Sequence, residues 1–527
     1  MVDDGGDASV CAGQVTRQRC APSAHACRTL VACAGLLLAA CADDRGPTEQ
    51  YSVAPAGALR VPQLGCFETI PAAGSCGRNA DCSAEQRCVF DGEAAWGDRA
   101  LVALRCAAPS GVLPAKARCA RGSECESGLC GLPGRCLMPC RSADDCGEDS
   151  QCRPIEARVG DALGPVMACA RTLTLPDDVQ LSLGQREPDL RHGESALTVP
   201  GTADPALIYV QADCARTGFD VLKLRSLDLQ QDVYDRAQVA LGMPAQNMIL
   251  HDGSALAALI FPDNPALLPS LSGLTLELGA SAKQHVEVVL AARPRGRNVL
   301  DLNVFYVGGG VDVSGDPSGF RPGEPRVAAM LARMDLRLRA LGLRLGAIEE
   351  HDVVGALREE LAVLEVPKSK VGDRIVEGRP LRLDELFQLS AGVETASIDV
   401  FIVSDMGSYV GIAGGIPGVL GVHGSGRSGV AIAADMLGDL LDADLVLMHE
   451  LGHFLGLFHT TEGSGAVLDP LSDTPACPIA QDLDQDHELS TVECVDYGAD
   501  NLMFWTGVGS LLTTQQIAVM TDSVILH

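Results

Sequence analysis

At 527 residues the chain exceeds what one ordinary hydrophobic core accommodates, so about three or four domains are expected. Its 69 acidic and 40 basic residues give a net charge of −29, with no basic stripe to follow a phosphate backbone. This excludes nucleic acid as a partner; the acidity favours solubility and leaves room for Ca²⁺ binding and a mild preference for cationic substrates.

Near the amino terminus, Arg28 precedes an apolar run from Leu30 to Ala40, and Leu38-Ala39-Ala40-Cys41 has the form of a bacterial lipobox. The run is too short to span a bilayer, so residues 1–41 read as an export segment. Two readings stand: lipid attached at Cys41, which would hold the protein to a membrane, or an ordinary signal peptide with an incidental cysteine. Asp3, Asp4 and Asp7 stand where a basic leader is expected, which suits a start codon inside residues 1–27 or a long leader. The expected location is exported, as a cell-envelope lipoprotein at the periplasm or cell surface, or secreted. Residues 42–65, with Pro47, Pro55 and Pro62, read as a tether.

Of 21 cysteines, five lie at or before Cys41 and 16 follow, an even number suited to disulfides in an oxidising compartment. Thirteen crowd between Cys66 and Cys169. Their spacing repeats as Cys76-x5-Cys82-x5-Cys88, Cys119-x5-Cys125-x4-Cys130 and Cys140-x5-Cys146-x5-Cys152, with Asp81, Glu124 and Asp145 each preceding the middle cysteine. The segment has no Cys-x2-Cys knuckle and no histidine, so residues 66–170 are expected to be a disulfide-rich small module rather than a zinc site.

Residues 180–292 then show short strand-like runs, among them Ala206–Val210, Phe219–Leu224, Met248–Leu250, Leu256–Ile260, Leu274–Leu278 and Val286–Leu290. Turn-rich links such as Pro262-Asp263-Asn264-Pro265 separate them, which predicts a β-sandwich, either an accessory fold or a prodomain. Cys214 within it could act as a thiolate that blocks a metal site, but the even count favours a disulfide, with a residue of the cysteine-rich module as a candidate partner. From residue 296 the order turns to α/β. Strands are expected at Leu300–Val307, Leu343–Ile348, Ile398–Val403 and Val430–Ala433, and helices at Glu324–Leu341 and Leu383–Leu389. The Gly-rich stretch Gly411–Gly429 lacks the Lys-Ser/Thr ending of a phosphate cradle.

A further helix, with Asp442 or Asp444 as its cap, carries the most informative segment: His449-Glu450-Leu-Gly-His453-Phe-Leu-Gly456-Leu-Phe-His459. Two histidines four apart share one helical face and can converge on one metal ion, with Glu450 directed at its open side. Gly456 can take the left-handed conformation that ends the helix and swings His459 back. Further on come Asp473-Thr474-Pro475, the pair Cys477 and Cys494, and the turn Asn501-Leu502-Met503. A Cys477–Cys494 bridge would close a short loop and contribute about 3 kcal/mol by chain entropy. Within it, Asp482-x-Asp484-x-Asp486 with Glu493 at the twelfth position resembles a Ca²⁺ loop, but His487 occupies the place of the sixth-position glycine, favouring a solvated acidic loop. Residues 513–525 fit a closing amphipathic helix.

Motif, Asp-Thr-Pro segment, cysteine pair and Met-turn together resemble the pappalysin group of metzincins, secreted zinc metalloendopeptidases. The resemblance is dense over roughly the last 100 residues and thin before that. It implies a multidomain chain whose residues 296–527 form an α/β (α+β) metzincin catalytic domain, with a mixed twisted sheet and an active-site helix. It further implies Zn²⁺ on His449, His453 and His459, Glu450 as general base for a zinc-activated water, and Met503 beneath the ligands. A protein or peptide substrate would lie extended along an edge strand, expected at residues 429–434. Trp505 departs from the pattern, because several metzincin groups have tyrosine there and indole cannot ligate zinc. The alternative is a surface-binding lipoprotein whose protease-like domain is catalytically idle.

Overall fold

The computed structural model describes residues 70–527, apart from 97–98, 148–149, 160–161, 191–192, 213–218, 236–255, 262–271, 281–283, 309–319, 372–373, 438–442 and 508. The export segment with Cys41, the tether, Cys66, Cys214, the Met248–Leu250 run, the Pro262–Pro265 turn and Asp442 lie outside the described residues.

The first region is built on disulfides rather than on a large core. Strands β1 (Ala73–Gly74), β2 (Arg87–Trp96) and β3 (Arg99–Ala107) form one small sheet in the order β1-β3-β2, and β4 (Ser150–Val159) pairs with β5 (Ala162–Arg171) as a hairpin. Cysteines bridge in a thrice-repeated pattern, Cys76–Cys88 with Cys82–Cys106, Cys119–Cys130 with Cys125–Cys136, and Cys140–Cys152 with Cys146–Cys169. The acid before each middle cysteine has a common task. Asp81 accepts from the Gly77 and Arg78 amides, Glu124 from Ala120 and Arg121, and Asp145 from Arg141 and Ser142, each tying a short 3-10 turn.

Eight strands follow: β6 (Gln180–Leu190), β7 (Gly193–Val199), β8 (Ala206–Ala212), β9 (Phe219–Ser226), β10 (Gln231–Asp235), β11 (Leu256–Phe261), β12 (Leu274–Ala280) and β13 (Gln284–Ala292). They form two four-stranded antiparallel sheets, β10-β9-β12-β7 and β11-β8-β13-β6. The core between them takes Ile208 and Val210 from β8, Ala257 and Leu259 from β11, and Val288 and Leu290 from β13. Successive strand residues face opposite ways, so the intervening Leu207, Tyr209, Leu256, Ala258, Val289 and Ala291 point out of the sandwich. They too are buried, in the core of the following domain.

That domain centres on a five-stranded sheet. Its elements are β14 (Val299–Tyr306), α1 (Pro325–Ala340), β15 (Arg344–Asp352), α2 (Ala356–Leu361), the hairpin β16 (Lys368–Val371) with β17 (Arg374–Glu377), α3 (Leu383–Gln388), β18 (Ile398–Val403), β19 (Gly411–Ala413), β20 (Val430–Ala433), α4 (Ala443–Phe454) and α5 (Thr514–Thr521). The sheet order is β15-β14-β18-β20-β19; the first four strands are parallel and β19 is antiparallel. Glu324 caps α1 by accepting from the Arg326 amide, and Val327, Met330, Leu331, Met334 and Leu338 supply its buried stripe at helical spacing.

Three expectations are corrected. Residues 429–434 are not the sheet edge: β20 is bonded to β18 on one side and β19 on the other, so the edge beside α4 is Gly411–Ala413, a short strand inside the Gly-rich stretch. Asp444 does not cap α4 but lies in its first turn. The closing helix stops at Thr521, after which Val524, Ile525 and Leu526 are buried in the core and His527 pairs its backbone with Val299.

Candidate metal centre

All twelve residues of α4 are buried, because sheet, α1 and the carboxyl-terminal segment enclose it. His449 and His453 project from one face. Gly456, at φ +112°, then reverses the chain, with its amide bonded to the His453 carbonyl and the Leu457 amide to that of Gly452. His459 returns so that its Nε2 lies 3.2 Å from Nε2 of His449 and 3.1 Å from Nε2 of His453.

Hydrogen bonds on the far side of each ring fix which nitrogen faces the centre. His449 Nδ1 lies 2.6 Å from the Leu502 carbonyl and His453 Nδ1 lies 2.8 Å from the Leu457 carbonyl. A carbonyl only accepts, so each Nδ1 carries the proton and each Nε2 presents a lone pair. Burial holds both rings neutral: it pushes His449 down to about 3, helped by the charge of His459, and takes His453 well below its ordinary value. Three inward nitrogens so close repel unless a cation lies between them. Tetrahedral zinc at about 2.0–2.1 Å from each nitrogen sets ligand atoms about 3.3 Å apart, and the three histidines fit that requirement.

Glu450 is also buried, which pushes its carboxyl up to about 8 against the opposing effects of His459 and a backbone hydrogen bond from Ala413. Its Oε1 has no hydrogen-bond partner. The carboxylate lies against the edge strand: a β-carbon on Gly411 would sit 2.6 Å from Oε1.

The Met-turn is beneath the histidines. Met503 is fully buried, its sulfur 2.7 Å from where a β-carbon on Gly452 would be, and its carbonyl accepts from the Thr460 amide at 2.9 Å. Asn501 shapes the turn by accepting from the Met503 amide and by exchanging hydrogen bonds with Gln516. Cys477 and Cys494 are bridged. Asp473 accepts from the Thr513 hydroxyl and the Gln515 amide, and Thr474 donates to Asp469, so the Asp-Thr-Pro segment braces α5 and its own loop. Trp505 donates from Nε1 to the Leu489 carbonyl and packs on Gly463, a structural role in the acidic-loop region.

Two features escape a reading of the motif alone. Glu462 lies three residues past His459, and both its oxygens are 3.1 Å from His459 Nδ1. Asp444 is 1 % exposed and is held by Arg333 at 2.8 Å and Arg337 at 2.6 Å, both from α1. An acid at the third place after the last histidine could have suggested the first; no local signal marks the second.

Residues 397–525, from β18 to the buried tail, match the Peptidase_M43 family model, described as pregnancy-associated plasma protein-A. No curated protein matches the chain. Among solved structures, an active-site mutant of a family two carbohydrate esterase from Clostridium thermocellum aligns at 8 % identity and TM-score 0.12, over 42 % of this chain and 61 % of that one. A family two carbohydrate esterase from Cellvibrio japonicus aligns at 12 % and 0.13, over 45 % and 66 %. Both scores are too low to imply a shared fold. The family match and the three-histidine cluster together support a metallopeptidase of pappalysin type.

Proposed function

We propose that the protein is an exported zinc metalloendopeptidase that cleaves proteins or peptides bound in extended form. The observation that carries this reading is the convergence of three buried imidazole nitrogens beside a buried Glu450 oxygen with no hydrogen-bond partner. Zinc bound there would bring the pKa of a water ligand toward neutrality and polarise the scissile carbonyl. His449, His453 and His459 would hold it, with Leu502, Leu457 and Glu462 orienting the three rings. The Glu450 carboxyl, drawn back to its ionised form by a cation held on the histidines, can accept the proton of an attacking water and return it to the leaving amine, a role worth about 10²–10⁴ in rate.

Substrate would add to the outer side of Gly411–Ala413, which pairs only with β20 among the described residues. A peptide on that edge passes Glu450. Export is supported by the seven disulfides among the described residues, since structural disulfides are rare in a reducing cytosol. Anchoring through lipid at Cys41 belongs to the same reading. Among the described residues no helix is long and apolar enough to cross a membrane.

We also assign Ca²⁺ to the acidic loop. His487 stands at φ +69°, the conformation for which a Ca²⁺ loop ordinarily uses glycine. The Asp482 side chain is 6 % exposed and its Oδ1 has no hydrogen-bond partner. Oxygens of Asp482, Asp484 and Glu493 lie within 4.8 Å of one another.

The test is zinc content and cleavage of an unfolded protein substrate by wild type and Glu450→Ala. The expected result is one zinc per chain in both, with turnover confined to wild type. A zinc-loaded wild type that cleaves nothing would favour the idle-domain alternative.

A further inference from the structure

The upstream modules grip one loop of the metal-binding domain at consecutive points. Leu420, Gly421 and His423 each accept a hydrogen bond at the backbone carbonyl, and each donor comes from a different part of the preceding chain. The Tyr209 hydroxyl of β8 donates to Leu420. The Thr174 amide, between the disulfide module and the sandwich, donates to Gly421 at 2.8 Å. The guanidinium of Arg153 in β4, wholly buried, donates from Nη1 to His423 at 2.6 Å.

This loop meets the end of α4. Gly418 donates to the Phe454 carbonyl at 2.9 Å, and the Phe454 ring packs against Gly418 so closely that no β-carbon fits. Phe454 directly follows His453. Two residues later is Gly456, and there the sandwich touches the turn itself: Ile260 Cδ1 lies 2.2 Å from where a β-carbon on Gly456 would be. The same sheet buries Leu207, Tyr209, Leu256, Ala258, Val289 and Ala291 in the domain core, so its separation would open two apolar faces to water at once.

Resting on the zinc reading above, we propose that the β-sandwich is a permanent buttress of the third metal ligand. Tyr209 and Ile260 act as positioning residues for the Phe454–His459 turn, and residues 70–292 stay with the active enzyme instead of leaving as a prodomain. The buttress fixes where His459 returns, and thereby the convergence of the three nitrogens.

Zinc affinity, measured by competition with a chromophoric chelator, tests this alongside urea unfolding and kcat and KM. Tyr209→Phe and Ile260→Ala should weaken zinc binding about tenfold, the range found when groups supporting a metal ligand are lost. Ile260→Leu should restore it. Leu276→Ala, which opens a cavity only in the core between the two sheets, should lower unfolding stability and leave zinc affinity unchanged. Zinc affinity in Tyr209→Phe and Ile260→Ala equal to wild type overturns the positioning role, as does an equal loss in Leu276→Ala. Intact mass of the active protein should include residues 70–292; an active species beginning near residue 296 overturns retention. Absence of zinc from wild type would instead defeat the reading of the centre, a separate outcome.

Discussion

Asp444 and Arg337 join the first turn of α4, the helix that carries His449 and His453, to α1 through a carboxylate–guanidinium contact of 2.6 Å, and Arg333 completes the clamp from the neighbouring turn of α1. Burial alone would raise the carboxyl's pKa, but hydrogen bonds from the two arginines outweigh it and hold Asp444 below its ordinary value. A depressed folded pKa means that the stabilisation is complete above the ordinary carboxylate range and is lost as pH falls through the folded value. Both guanidinium groups keep partial access to water, which moderates the loss on removing the charge. Asp444→Asn should therefore lower unfolding stability by about 1–3 kcal/mol at pH 7. The deficit should shrink below about pH 4. Urea unfolding of both proteins across pH measures it, and equal stability at pH 7 would remove the clamp from the account.

Gly411 and Glu450 make the edge strand and the proposed general base mutually dependent. A methyl group at 411 would lie 2.6 Å from Oε1 and 2.7 Å from Cγ of Glu450, so the carboxylate must move. On the proposed zinc-peptidase reading, Gly411→Ala should keep zinc, since none of the three histidines is touched, while kcat/KM falls by about 10² or more. Turnover at the wild-type level with this substitution would contradict the placement of Glu450.

The acidic loop gives a prediction independent of proteolysis. Calcium that binds the folded loop and not the unfolded chain stabilises by about 2.7 kcal/mol at a hundredfold excess over Kd. The melting temperature of the full chain should rise with calcium, and Asp482→Asn or Glu493→Gln should abolish that rise. A melting temperature indifferent to calcium up to about 10 mM would leave this a solvated acidic loop.

What the sequence reveals here is what its local spacing encodes. The i, i+4 histidines and Gly456 follow from helix period and turn chemistry and the Met-turn from the metzincin resemblance, and the structure brings His449, His453, His459 and Met503 together. The sheet edge was not legible, because Gly411–Ala413 is a three-residue strand within a glycine-rich stretch and its neighbours are set by pairing, not by composition. Asp444 resembled a helix cap because its partners lie 107 and 111 residues upstream. The sandwich was partly legible: the unbroken apolar run Ala206–Val210 marks a strand covered on both faces, but nothing local says that α4 and its loop provide the second cover.

Asp469 is a buried carboxyl outside the metal centre, 5 % exposed, and its Oδ2 has no hydrogen-bond partner. Burial, supplemented by the nearby Asp473, pushes it up to about 7, against hydrogen bonds from the Thr474 hydroxyl and the Leu471 amide. The sign is opposite to that of Asp444. A folded pKa raised above the unfolded value favours the native state fully below about pH 4, and this contribution is lost as pH rises toward 7, because the unfolded carboxyl ionises first. Asp469→Asn keeps an acceptor for Thr474 and cannot ionise. It should match wild type near pH 4 and exceed it by roughly 2–4 kcal/mol at pH 8, three pKa units being the upper bound on the difference. Unfolding curves at the two pH values decide it: a constant gap between wild type and variant would mean that Asp469 titrates as an ordinary surface carboxylate.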